Sequence, residues 1–125
     1  GPAHAFRVGQ ALSALAEKNI WILASGNITH NLGDWQVAAA TNGQTPAYVN
    51  RFADWVQEKL ETNDLSSLLN YRQHSAEGRQ AHPSEDHLLP LFVALGAAGE
   101  GAKARAFYRG VSDYVIAMDG YAFTH

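Results

Sequence analysis

The chain contains no cysteine. That excludes disulfide scaffolds, thiolate zinc sites and cysteine nucleophiles, so any metal must be held by histidine or carboxylate. No apolar run approaches the ~20 residues of a membrane-spanning helix. Gly1-Pro2-Ala3-His4 lacks the charged-then-apolar pattern of a signal peptide, so the expectation is a cytoplasmic protein without membrane contact. Charge of either sign is sparse: 9 basic and 12 acidic residues leave −3, with no basic stripe, which argues against a nucleic-acid partner. There is no initiator methionine, as in a protease scar or a piece of a longer polypeptide.

What is present is apolar. Hydrophobic residues make up 46% and charged residues 17% of 125, the composition of one small globular domain over 1–125. Helical spacing of Phe6, Leu12, Leu15 and Ala16 predicts a helix over 3–18. Ile20-Trp21-Ile22-Leu23-Ala24-Ser25 reads as a central strand covered on both faces. Residues 26–45 read as loop, interrupted by the short apolar piece 35–40. Pro46 opens a helix striped by Phe52, Trp55, Val56 and Leu60. Asn63 or Asp64 caps a short helix to about Tyr71, and a helical turn is expected near 75–80. Ser84 reads as the N-cap of a helix over 84–98, with Pro90 kinking or restarting it. Ala104–Tyr108 and Val115–Met118 read as strands, the second continuing into Tyr121–Phe123.

Six histidines are present, and three stand out by position. His82 and His87 lie five residues apart, with a rigid apolar run behind them, as a fixed metal ligand requires. His30 lies in the polar loop Gly26–Asn31 at the end of the 20–25 strand. In open α/β sheets ligands bind at that end. Each also has a plain structural reading. His87 can be a capped helix-start residue and His30 a loop residue bonded to backbone. His82, extended by the proline after it, can be a turn stabiliser. Asn27 can hold the His30 loop or simply serve the turn. His4, His74 and His125 read as solvated. Gly96–Gly101 follows a helix and reads as a C-cap, not a phosphate cradle.

Taken together, the motifs carry a resemblance. The blocks Ser25-Gly-Asn-Ile-Thr-His30-Asn31-Leu32, Phe52-Ala-Asp-Trp55 and Leu68-Leu-Asn-Tyr71 come first. His82-Pro-Ser-Glu-Asp-His87-Leu-Leu-Pro-Leu91 and Ala117-Met-Asp-Gly-Tyr121-Ala-Phe123 follow in order. The chain resembles the C-terminal half of the LigB-type class III extradiol ring-cleavage dioxygenases, nearest the DOPA 4,5-dioxygenase-like branch. The resemblance implies an α/β fold with a mixed central sheet and helices on both faces. It also implies a non-haem Fe(II), or Zn(II) in its place, and a catecholic substrate opened with O₂. By that resemblance His87 is a metal ligand and His30 the acid/base residue. His82 contacts substrate or supports the site from behind, with Asn27 beside it. A histidine of near-neutral pKa suits such proton transfer, and an open ferrous site suits two histidines plus one further ligand.

The family takes two more ligand histidines from its N-terminal half, in segments resembling Ser-His-Gly and Ser-Ala-His-Trp. Neither occurs here. The expected partner is therefore the missing half, in the same polypeptide or a separate one. Two other functions fit the same residues: a non-catalytic relative that binds a metal or a partner, and a zinc hydrolase.

Overall fold

The computed structural model describes residues 1–125. The first helix, α1 (Pro2–Ala11), carries proline at its start, where the missing N–H costs nothing. It stops short of the expected 18. The Ser13 hydroxyl donates to the Gln10 carbonyl, and the chain tightens into a 3₁₀ turn, Ser13–Lys18, ended by left-handed Asn19.

The stretch expected as strand 20–25 forms none. Residues 21–26 make no backbone–backbone hydrogen bond, and Trp21 and Leu23 are 88% and 91% exposed, so Trp21 is not in the core. A strand exists only when paired with a neighbour, and no strand pairs with this one. Conversely, part of the expected loop is a helix, α2 (Leu32–Ala40). Asn31 caps it by accepting the Asp34 N–H, and Asp34 suits the positive helix end.

Helix α3 (Ala47–Glu61) matches its prediction and supplies the core: Tyr48, Val49, Phe52, Ala53, Val56 and Leu60 are buried on one side. Three short helices follow: α4 (Leu65–Leu69), capped by Asp64, α5 (Tyr71–His74) and α6 (Gly78–Ala81). Helix α7 (Leu89–Ala98) begins five residues later than Ser84 suggested. Pro90 is tolerated only in a first turn, so it sets the start, and His87 sits on the turn before the helix. Glycine at 99, with φ of 82°, ends it.

Strands β1 (Lys103–Tyr108) and β4 (Gly120–Thr124) pair antiparallel, with a bulge between Ala106 and Tyr108. A smaller antiparallel pair joins β2 (Val111–Ser112) to β3 (Ile116–Ala117). Tyr121–Phe123 therefore belongs to a strand of its own, paired to β1 and not a continuation of 115–118. The class is mixed α/β, as expected. Arg109 ties this C-terminal part to α3, pairing with Asp119 at 2.6 Å and Asp54 at 2.9 Å.

Candidate active site

The loop Asn27–Asn31 is laced to two distant segments. Toward 80–87, Asn27 N–H donates to the His87 carbonyl at 2.7 Å and His30 N–H to the Ala81 carbonyl at 2.9 Å. The Asn31 amide donates to the Gln80 carbonyl at 2.7 Å. Toward β3, Ile28 N–H donates to Ala117 O at 3.0 Å. Buried Thr29 donates to Val115 O at 2.6 Å and accepts from Ala117 N–H at 2.7 Å. These bonds bring residues 49 or more positions apart to one place.

His30 and His87 lie face to face there, ring centroids 3.5 Å apart and planes within 13°. His87 keeps part of its side chain open, with Asp86 3.6 Å from its Nε2. Burial, then the adjacent His87, lowers the His30 pKa below its ordinary 6.5. Asp86 is held below the usual carboxylate range, first by the Ser84 hydroxyl it accepts from. Asn27 stands beside the pair: its backbone holds His87, and its amide donates to the Met118 thioether at 3.2 Å.

His82 sits behind them and is fully buried. Its Nε2 is 2.6 Å from the Ile28 carbonyl, and its Nδ1 is buried without a partner. Burial pushes its pKa down to about 4, with His30, His87 and Arg72 adding to the effect. This has a consequence for stability. As pH falls below 6.5 the unfolded chain takes up the His82 proton while the folded chain refuses it, until about pH 4. The contribution is complete above 6.5 and is lost between 6.5 and 4, at about 3 kcal/mol for that span. Urea unfolding at pH 7, 5.5 and 4 should show this slope, and His82→Gln should flatten it.

As for a metal, no three histidine, aspartate or glutamate side chains come together to hold one. Near-parallel rings with centroids 3.5 Å apart keep their in-plane lone pairs in two separate planes, whereas two nitrogens binding one ion must converge on it at about 2.1 Å. The His30–His87 pair therefore suits one ligand and one neighbour, not two ligands. No coordination set is assembled within this chain.

The structure brings His30, His87, His82 and Asn27 together. It leaves His4, His74 and His125 exposed, and His125 bonds the Ala98 carbonyl. Two supporting residues had no signal in the sequence. Thr29 bolts the loop to β3, and the Arg72 guanidinium donates to the carbonyls of His82, at 2.5 Å, and Pro83. Their partners are backbone atoms, which no side-chain motif records.

Comparison with known proteins gives this arrangement a family. The profile of the catalytic LigB subunit of aromatic ring-opening dioxygenase matches residues 1–124. The 4,5-DOPA dioxygenase extradiol of Mirabilis jalapa is 31% identical over 122 residues, which is 97% of this chain and 45% of that protein. That of Portulaca grandiflora is 33% identical over 125 residues, covering 97% and 44%. The crystal structure of an uncharacterized Escherichia coli K12 protein superposes with a TM-score of 0.81 at 26% identity, over 96% of this chain and 49% of that one. The chain spans about half the length of the relatives it matches. Histidine blocks, fold and profile agree over the whole length, and the chain belongs to the LigB family of aromatic ring-opening dioxygenases.

Proposed function

We propose that this chain is the C-terminal half of an extradiol dioxygenase domain that opens a catecholic, DOPA-like ring with O₂. The observation that carries the reading is the His30–His87 stack at 3.5 Å. In this reading His87 is one metal ligand, and the remaining histidines come from polypeptide outside this chain. Fe(II) is the metal expected, with Zn(II) the second candidate; it would supply the binding point for the catechol oxygens. His30, with a lowered pKa, takes a proton from the catechol hydroxyl and returns one later. Asn27 holds the His87 backbone in place. The apolar, hydrogen-bond-free stretch 21–26 supports a completing half, since its bare backbone and exposed Trp21 and Leu23 suit pairing with further strands.

The test is O₂ uptake by the complete protein carrying this chain, loaded with Fe(II) and given L-DOPA or a simpler catechol. The expected result is catechol-dependent O₂ consumption with a yellow ring-opened product. No uptake with any catechol would favour the non-catalytic relative. Ester or amide hydrolysis with zinc, and no uptake, would favour the hydrolase.

A further inference from the structure

The His82 ring has no exposure, so it reaches neither solvent nor a substrate in the cleft. Its Nε2 faces the Ile28 carbonyl at 2.6 Å. A carbonyl oxygen only accepts, so Nε2 must carry the hydrogen and Nδ1 must be bare. That bare nitrogen is buried without a partner. As packing alone this is a costly choice, because an apolar side chain of similar size brings no polar atom of its own; what it lacks is a donor for the Ile28 carbonyl.

The surroundings fix the ring's aim. Its edge meets Phe52 at 5.8 Å and 67°, and Tyr71 at 6.1 Å and 87°. The Arg72 guanidinium grips the carbonyl of His82 itself. At the receiving end, Ile28 is held from both sides, its N–H by Ala117 and its carbonyl by His82. Two residues further on, His30 must lie flush on His87.

We propose that His82 is a positioning residue: its Nε2–H braces the Ile28 carbonyl, fixes the backbone that carries His30, and so sets the His30–His87 stack without touching substrate. This rests on the roles given to His30 and His87 above. It also explains why a histidine sits in an apolar slot where it stays neutral, its pKa being about 4.

The test compares His82→Leu and His82→Gln in the complete protein, with activity counted per folded molecule. Leucine fills the slot without a donor; the glutamine amide places an N–H near the imidazole Nε2 position. His82→Leu is expected to lower kcat about 10- to 100-fold, with KM for the catechol within about threefold. His82→Gln is expected to restore kcat to within about threefold of the parent. A leucine variant at parental kcat, or a glutamine variant as impaired as leucine, would overturn the role. Nitrogen-15 NMR of the histidine rings needs neither variant nor turnover. The expected signal for His82 is an Nε2–H that exchanges slowly beside an unprotonated Nδ1. An Nδ1–H tautomer would overturn the brace even in a fully active protein. Absence of O₂ uptake with the Nε2–H tautomer in place would overturn the dioxygenase reading and leave the brace standing.

Discussion

Replacing His30 with alanine is expected to lower kcat for catechol-dependent O₂ uptake about 10²- to 10⁴-fold, the range for loss of a general acid/base. The residue is held by its backbone N–H on the Ala81 carbonyl and by Ile28 and Thr29 before it, and its ring lies on the face of His87. The variant removes only a half-buried ring and leaves its core neighbours Ile28 and Ala81 in place, so it should remain folded. KM should change far less than kcat, because the catechol oxygens are bound elsewhere in this mechanism. Added imidazole should recover part of the rate by occupying the vacated space over His87. An intact variant turning over at the parental rate would remove His30 from the mechanism, and a loss of folded protein alone would show in circular dichroism.

Replacing Gly96 with valine is expected to destabilise the fold by about 3 kcal/mol or more. Helices α1 and α7 cross so closely that a Cβ on Gly96 would run into the Phe6 carbonyl, and one on Gly9 into the Val93 carbonyl. Both obstacles are backbone, which cannot rotate away as a side chain tip would. The helices must separate, and the apolar faces between them lose contact together. Gly9→Val should cost a similar amount, and the double variant less than the sum, since one crossing is spoiled once. The damage should reach the site, because the turn bearing His87 leads directly into α7. Gly101→Ala is the control. Nothing lies within 4 Å of its would-be Cβ, so only its φ of 78° counts, at about 1 kcal/mol. Urea midpoints for the four proteins would rank these effects. Equal midpoints for Gly96→Val and Gly101→Ala would mean that the crossing is not close-packed.

Much of the site was legible because its signals are local. The His-Pro spacing around His82 and His87, and the loop after the 20–25 run, mark the three histidines without any knowledge of contacts. Helix α3 was legible for the same reason: its apolar stripe repeats at helical spacing. Helix α2 was missed because Leu32–Ala40 has apolar residues on every side and no stripe, so only the Asn31 cap betrays it. The start of α7 was misplaced because Ser84-Glu85-Asp86 imitates a capped first turn, while Pro90 has the stronger claim on where the helix begins. Gly96 looked like a helix end and proved to be a crossing point inside α7, a role that depends on Phe6 and Gly9 of a partner helix at the other end of the chain.

By itself, then, the sequence determined which side chains could do chemistry, the short-range elements that carry them, and the family to which their pattern belongs. The tertiary structure decided the rest. It put His30 flat against His87. Of the two places open to His82, facing substrate or behind the site, it gave the second, buried and on the Ile28 carbonyl. It also left Ile20–Ser25 unpaired, although its composition is that of a central strand. The physical reason is common to all three. Apolar spacing and capping act over a few residues and are written in order along the chain. A ring's protonation, a carbonyl's partner and a strand's neighbour are set by atoms brought from elsewhere, and local pattern does not encode which atoms those are.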